Sequence, residues 1–493
     1  MTEKLYPRWA REVRKEQPPA SIDEYFQGWA AFFDHFAPVV QTWRRRNAGY
    51  HAALEALVHF YVPRNSRVLE LGSGSGDLLA STCPRRGVGI DISGEMTRLA
   101  RELHPQLEFY QMAAERLDLG REKFDYIILS DLTGFLFDIR LTFERLRTVC
   151  HPGTRIILNW HSRVWQPIIS GAERLGLKYP QPLLNWTTPE DIINLLQLTD
   201  FEVVQQKRHI LLPNRVPVLT SLVNRFLAHL PGLRLFCLTN WIVARPLHLE
   251  PSVSSPTVSV ICPCRNEAGN IQQIVDRLPS MGGHTELIFV EGHSTDDTLA
   301  ACRRAAETSE IKISVLVQEG RGKGDAVRLG YARAKGDILM ILDADISVAP
   351  EDLVTFYDVL VSGKGEFVNG CRLVYTMDPK AMRFLNLAAN RFFALLLSKL
   401  MGQPIKDSLC GTKVLWRRDY EALARNRSYF GNVDPFGDFD LLFGAAKLNL
   451  KIVEVPIRYR QRIYGSTNIS RFADGWLLLR MSAKAAGKLF FVA

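Results

Sequence analysis

Short apolar runs that end in glycine-rich or acidic turns recur in two sets along this chain, each run followed by a helical stretch. That punctuation limits the fold more than any other feature. A run of five apolar-dominated residues such as RVLEL (67–71) is too short for a helix and reads as a buried strand. Further strands are expected at 87–90, 107–111, 124–129 and 154–160, with two more at 201–211 and 238–246. A proline-punctuated insert with an apolar helical stretch, 218–230, separates the last two. The second set reads as strands at 258–263, 286–290, 312–317 and 338–342. Pro350, followed by Glu351 and Asp352, suits the first turn of a helix. Strands alternating with helices predict an α/β protein built from two doubly wound sheets. Ligands of such sheets bind beyond the C-terminal ends of the strands, so the chemistry is sought there.

The two sets are separated by LHLEPSVSSPT (247–257), which is rich in Pro and Ser and reads as a linker. The expected organisation is a first domain over 1–246, with its core at about 45–246, and a second over 258–493. At 493 residues the chain has room for both, and 47% apolar with 23% charged residues excludes disordered, collagen-like and coiled-coil chains. No apolar run approaches the ~18–20 residues of a membrane-spanning helix. The N-terminal residues MTEKLYPRWAREVRKEQ lack the apolar core of a signal peptide. A net charge of +9 suits anionic nucleotides, phosphorylated acceptors or an anionic membrane face. Without zinc-finger spacing, an RNP1 pattern or basic heptads, nucleic acid is not an expected partner. Eight cysteines with no CxxC make neither a disulfide scaffold nor a metal centre. Cys262 and Cys264 are expected as buried thiols in a reducing cytoplasm.

The first chemical motif is Glu70-Leu71-Gly72-Ser73-Gly74-Ser75-Gly76, which follows a strand and opens a helix. Glycines let backbone approach a ligand, and the helix N-terminus offers N–H groups. Asp91 ends the next strand, where a carboxylate can accept both hydroxyls of a ribose. The spacing GxGxG departs from the GxGxxG of dinucleotide-binding folds. With Glu70 two residues ahead, it resembles motif I of the class I S-adenosylmethionine-dependent methyltransferases. GVGIDIS resembles their motif II, and the likeness covers about residues 45–246. It implies that Glu70, Gly72, Gly74 and Gly76 line the methionine portion of S-adenosylmethionine, that Asp91 binds the ribose and that Ile92 lies against adenine. Where the family often has an Asp for the adenine amino group, this chain reads Met112-Ala113-Ala114-Glu115. Tyr50 and His51 precede the fold and are placed to roof the pocket. Asp131 and Asn159-Trp160-His161 fall at strand ends; for each, packing or capping is as good a reading as catalysis.

The second motif is Asp343-Ala344-Asp345 at the end of ILMIL. Alternation along an extended chain points both carboxylates to one side, where they suit a Mg²⁺ or Mn²⁺ ion shared with substrate phosphates. VSVICPCRNEAGNI, VEGHSTDDT and QEGRGKGDAVRLGYARAKGDILMILDAD follow in the order found in family 2 glycosyltransferases of the GT-A fold, which these segments resemble. CGTK (410–413) and VEVPIRYRQRIYGSTNISRF are similar to the polyprenyl-phosphate sugar synthase branch, and the likeness covers about residues 256–480. It implies that Pro263, Arg265, Glu267 and Glu291 surround the nucleoside, that Arg321 and Lys323 reach the diphosphate and that Asp343 and Asp345 hold the metal. Glu291 and Gly292 stand where the family has aspartates, which leaves uridine and guanosine donors both open. Asp438 and Asp440 resemble the acidic pair near the acceptor, with dipole-stabilising helix acids as the other reading. Arg458, Arg460 and Arg462, with Ser466 and Asn468, would grip an acceptor phosphate. Asn468 replaces the usual Lys.

Together these readings predict a bifunctional cytoplasmic enzyme. One domain would methylate from S-adenosylmethionine. The other would transfer a sugar from a UDP- or GDP-linked donor, with inversion, to a polyprenyl phosphate or related glycan acceptor. A hydroxyl acceptor, with a non-catalytic methyltransferase-like binding or scaffold domain, is the alternative. Residues 380–402 and the C-terminal stretch DGWLLLRMSAKAAGKLFFVA are candidates for peripheral contact with the inner membrane face, or for ordinary packed helices.

Overall fold

The computed structural model describes residues 21–179, 181, 184–214, 216, 218–249, 253–375, 384–429, 437–459, 464 and 471–491. The chain divides into two compact units, one running to residue 250 and including Phe491, and one from 251 to 490.

The first unit is built on β1 (Arg67–Leu71), β2 (Arg86–Asp91), β3 (Glu108–Gln111), β4 (Phe124–Ser130), β5 (Cys150–His161), β6 (Phe201–His209) and β7 (Thr239–Pro246). Their order across the sheet is β3-β2-β1-β4-β5-β7-β6. The first five run parallel, and β7 lies antiparallel between β5 and β6. These strands are nearly continuous apolar runs because helices cover both faces of the sheet. Leu69, Ile127, Phe143, Ile156 and Leu196 are among the core residues without solvent contact.

A helix not anticipated from the sequence, Ile22–Arg46, lies before this sheet. Ser21 caps it by accepting from the Glu24 N–H, Asp23 and Glu24 suit its N-terminus, and Arg44, Arg45 and Arg46 suit its C-terminus. It buries Phe26, Trp29 and Phe32, and a second helix, Ala48–Tyr61, follows. Between β6 and β7 the expected 218–230 helix is shorter. It runs Leu219–Arg225, followed by single turns at Leu227–His229 and Leu233–Phe236.

The second unit contains β8 (Val258–Cys264), β9 (Thr285–Glu291), β10 (Lys312–Val317), β11 (Ile338–Ile341), β12 (Phe367–Cys371), β13 (Lys413–Trp416) and β14 (Ile452–Pro456). The order is β10-β9-β8-β11-β13-β12-β14. β10, β9, β8 and β11 are parallel, while β13 pairs antiparallel with both β11 and β12. Both sheets are therefore mixed rather than purely parallel. Pro350 opens a single turn that leads into the helix Leu353–Val361. Cys262 and Cys264 are buried in β8, and the described cysteines are all free thiols. No described helix is long and apolar enough to cross a membrane.

Candidate active sites

At the C-terminal end of β1 the glycine loop turns through Gly72, Gly74 and Gly76, all with positive φ (68°, 51° and 78°). A Cβ at Gly72 would come 2.7 Å from the Leu132 side chain, and one at Gly76 would come 2.5 Å from Phe109, whereas the space above Gly74 is open. The loop is thus pressed against the sheet at two glycines and offers bare backbone at the third. Asp91, at the end of β2, accepts from the Gly74 N–H and the Ser93 N–H, both at 2.9 Å. Burial raises its pKa to about 6, against the lowering effect of those N–H groups. Ile92 follows it, with its carbonyl accepting from Gln111 at 3.3 Å.

Glu70 is 3% exposed, and its Oε2 has no hydrogen-bond partner among the described residues. Burial lifts its pKa to about 8. Two residues from the unanticipated first helix join this end of the sheet. Asp34 accepts from Ser93 Oγ (2.5 Å) and from the Glu95 N–H (3.0 Å). Arg44 lies 3.4 Å from Asp77, at the start of the loop's own helix.

Beside the glycine loop, the ends of β4 and β5 gather the polar residues singled out from the sequence. Ser130 pairs with Asn159 in the ladder, and Asp131 and His161 follow at the ends of the two strands. Asp131 has a φ of +52° and accepts from Tyr50 Oη at 2.6 Å and from Asn159 Nδ2 at 3.1 Å. His161 Nδ1 lies 3.8 Å from the same carboxylate, and its ring stacks on Tyr50 at 5.7 Å. Burial lowers the His161 pKa, Asp131 opposes this and Lys178 adds to it. Burial and then Asp131 push the Tyr50 phenol well up. At neutral pH the imidazole is therefore neutral and the phenol un-ionised. Such an Asp–His arrangement can take a proton from an incoming hydroxyl. His51 takes a different partner, Arg44, 3.4 Å from its Nδ1; burial and Arg44 lower its pKa to about 4. Trp160 is 3% exposed, with its indole N–H on the Thr187 carbonyl, which is a packing role.

In the second unit the convergence centres on Lys323. Its Nζ is 2.6 Å from Asp343 Oδ1. Burial would lower the Lys323 pKa, but Asp343 and Asp438 raise it further than burial lowers it. Burial pushes the Asp343 carboxyl up, but Lys323, Lys413 and Arg372 together hold it below the usual carboxylate range. Asp345 is 7% exposed, and its Oδ1 accepts from the Ser347 N–H at 3.0 Å.

Close backbone approach makes this possible. A Cβ at Gly411 would come 2.1 Å from Asp343 Oδ2 and 2.3 Å from Lys323 Nζ. Gly437, with φ +77°, lies against Gly324, where a Cβ would sit 2.8 Å from the Gly324 Cα. The Asp438 helix therefore starts directly beside the Lys323 helix. Lys413, fully buried, stands 3.2 Å from Asp438. Arg372 makes a two-pronged contact with buried Asp407 at 2.7 and 2.8 Å and contributes to the field at Asp343. Lys413, Gly411, Arg372 and Asp407 were not singled out from sequence; the CGTK segment was the one signal for the first two.

The other expected residues divide. Pro263, Arg265, Glu267 and Glu291 sit at the ends of β8 and β9. Glu267 accepts from Asn270 Nδ2 (2.7 Å) and Glu291 from the Ser294 N–H (2.5 Å), so both brace the turns that carry them. Arg265 and Arg321 are exposed. Asp438 and Asp440 do not form a pair: helix positions two apart point to different sides. Asp440 faces Arg427 at 3.3 Å and lines a small cavity with Lys447. Arg458 is exposed over the Tyr375 ring, while Arg460, Arg462, Ser466 and Asn468 lie outside the described residues.

The Glycosyl transferase family 2 pattern matches residues 259–423, and a Methyltransferase domain pattern matches residues 42–206. A dolichyl-phosphate hexose transferase of Haloferax volcanii is 30% identical over 207 residues, which cover 42% of this chain and 82% of that protein. The low-salt glycan biosynthesis hexosyltransferase of the same organism is 29% identical over 242 residues, 48% of this chain. There the chain spans 55% of its relative's length. Among solved structures, a SAM-dependent methyltransferase of Thermotoga maritima is 16% identical, covering 43% of this chain and 98% of that one, with a TM-score of 0.36. At that score the strand order, not the match, defines the fold of the first unit.

Proposed function

The chain belongs to glycosyl transferase family 2 through its second unit and carries a methyltransferase domain in its first. From that premise we propose that it is a bifunctional transferase, moving a sugar from a nucleotide sugar to a polyprenyl phosphate and a methyl group from S-adenosylmethionine to a hydroxyl. The observation that carries the sugar-transfer half is the meeting of Lys323 and Asp343 at 2.6 Å, with Asp438 acting on the same ammonium, across two glycine-permitted approaches. The likeness to a dolichyl-phosphate hexose transferase supports a lipid phosphate as acceptor.

Asp343 and Asp345 offer hard oxygen donors, which fit Mg²⁺ or Mn²⁺. No cluster of three ligating side chains occurs among the described residues, so the donor diphosphate and water would complete the coordination. When bound, the cation would neutralise the departing nucleoside diphosphate. Lys323 would bind the same diphosphate, exchanging part of its contact with Asp343 for phosphate oxygens. Arg265 and Arg321 would meet the nucleotide from the exposed side. Glu267 and Glu291 would hold the turns under the nucleoside. Asp438 would orient the acceptor, and Arg462 would hold its phosphate.

In the first unit, Glu70 is a buried carboxyl with one orphaned oxygen, which fits the ammonium of S-adenosylmethionine. The open backbone at Gly74 and the Asp91 carboxylate would receive the methionine portion and the ribose, with Ile92 beside the base. When bound, the cofactor supplies an electrophilic methyl group. His161 Nε2 would take the acceptor's proton, and Asp131 would stabilise the imidazolium through Nδ1. Tyr50 would fix the Asp131 carboxylate. The deciding experiment incubates the full chain with a panel of UDP- and GDP-sugars, Mg²⁺ or Mn²⁺, and undecaprenyl phosphate. A lipid-linked sugar is expected from one donor, and its loss in Asp345→Ala. Turnover that ignores the lipid phosphate and requires a soluble alcohol would overturn the acceptor assignment.

A further inference from the structure

The connection from β6 to β7 is built inside out. Between Val216 and Phe236, ten large apolar side chains are at least 40% exposed, from Leu233 at 40% to Val218 at 75%. The residues turned inward are small or polar. Asn224 is 4% exposed and clamps the start of the insert, its Oδ1 accepting from the Leu212 N–H (2.8 Å) and its Nδ2 donating to the Leu212 carbonyl (2.9 Å). Ala228 and Cys237 are buried, and Cys237 Sγ lies 3.6 Å from the Ala228 carbonyl. The polar clamp holds the leucines and phenylalanines outward. Phe491, which belongs to the same unit, meets Phe226 at 5.3 Å and still leaves it 45% exposed. So many large apolar side chains left outward over one short connection ask for a use.

Charge narrows the occupant. Residues 203–249 contain no Asp or Glu; the flanking acids are Glu202 and Glu250. Within the insert, Arg225 and Arg234 are exposed among the apolar side chains. Outward leucine and phenylalanine with interspersed arginine and no acid is the chemistry of a segment that beds into an anionic bilayer interface. A protein partner of mixed surface charge would not require the complete exclusion of acids.

Topology gives the position. β7 starts at Thr239, which pairs with His161 at the end of β5 and with His209 at the end of β6. The insert therefore leaves the sheet at the end that carries Asp131, His161 and the glycine loop. The neighbouring turn after β5 continues the surface. Trp165 donates to the Phe236 carbonyl at 2.7 Å, and Val164 and Ile168 are 50% and 56% exposed.

We infer that the β6–β7 insert is a membrane-docking surface that seats the catalytic end of the methyltransferase unit on an anionic lipid bilayer. The methyl acceptor would then be reached at the lipid surface, whatever its identity. Flotation of the full chain on a density gradient tests this, using vesicles of phosphatidylcholine with and without phosphatidylglycerol. The chain is expected to float with the anionic vesicles and to do so less at high salt. The triple variant Leu222→Glu, Phe226→Glu, Phe236→Glu should float at least about tenfold less. Arg225→Ala with Arg234→Ala should lose the preference for phosphatidylglycerol. Circular dichroism and S-adenosylmethionine binding establish that each variant is folded. Should the triple variant fail that check, Leu219→Ser with Leu222→Ser, both at half-exposed positions, replaces it. A wild-type chain that stays with the protein fraction overturns the inference. So does a triple variant that floats as well as wild type, which would assign docking to the second unit. A wild-type dimer that the triple variant dissociates, without flotation, overturns it in favour of a second copy of the chain.

Discussion

Glu70 sits at the end of β1 with 3% of its surface exposed and a pKa raised to about 8. Its unfolded-state value is near 4.5, so between these two pH values the folded chain holds a proton that the unfolded chain has released. This group therefore favours the folded state at low pH, and its contribution is lost as pH rises through that window. Glu70→Gln is expected to stabilise the ligand-free first unit at pH 8.5 by roughly 1–3 kcal/mol while weakening S-adenosylmethionine binding, checked by thermal melts and titration calorimetry. Binding to wild type at pH 7 should expel a proton, seen as a dependence of the binding heat on buffer ionisation. An affinity unchanged in Glu70→Gln would remove Glu70 from the site. Asp131 and His161 admit a sharper separation. Asp131→Asn keeps a residue type that tolerates a φ of +52°. Both it and His161→Gln should slow methyl transfer by roughly 10²–10⁴-fold with cofactor affinity nearly unchanged. If either variant transfers methyl at the wild-type rate, the proton leaves by another route.

The second site is assembled by approaches between elements. Gly437→Ala places a Cβ 2.8 Å from the Gly324 Cα at a positive φ. It should cost about 1–2 kcal/mol in stability from the backbone alone. It should also displace the Asp438 helix from Lys323, lowering sugar transfer further than the melting temperature suggests. Gly411→Ala puts a methyl group into the Asp343–Lys323 contact and should suppress sugar transfer in a folded protein. Normal turnover in Gly411→Ala would show that the contact can open without loss. The parallel strands and their terminal motifs were legible in the sequence because buried strands are uninterrupted apolar runs and their chemistry follows at once. β12 and β13 were not read as strands: FVNGC and KVLW are short and carry Asn369, Gly370 and Lys413 in fully buried positions. The Ile22–Arg46 helix was also missed, although Phe26, Trp29 and Phe32 recur at helical spacing. With it went Asp34 and Arg44. Lys413 and Arg372 escaped for another reason: their place beside Asp438 and Asp343 depends on tertiary packing that no local spacing encodes. Asp438 and Asp440 open the same helix, but one faces Lys323 and the other Arg427, a division that their spacing two apart on a helix explains.

At the scale of the molecule, two transferase units share one chain, each with its own sheet and its own strand-end site. Joining them is chemically economical if the sugar placed on a lipid by one unit, or the glycan extended from it, is the hydroxyl methylated by the other. The proposed docking surface on the first unit would bring such an acceptor to the glycine-loop end of the sheet. The two chemistries should still be separable, because neither site borrows a described residue from the other's sheet. Asp91→Ala removes the acceptor of the Gly74 and Ser93 N–H groups together with the proposed ribose contact. Losing a charged hydrogen-bond partner of this kind costs about 1.5–3 kcal/mol, or roughly ten- to 150-fold in affinity. S-adenosylmethionine binding is expected to fall by that factor while the nucleotide-sugar turnover of the same preparation is retained. Asp345→Ala should do the converse, abolishing metal-dependent sugar transfer with cofactor affinity preserved. Calorimetry and sugar-transfer assays on both variants check the pattern. If Asp91→Ala binds the cofactor as wild type does, the first site is misassigned. If it depresses sugar transfer as strongly as cofactor binding, the two units act as one catalytic body rather than as two enzymes on one chain.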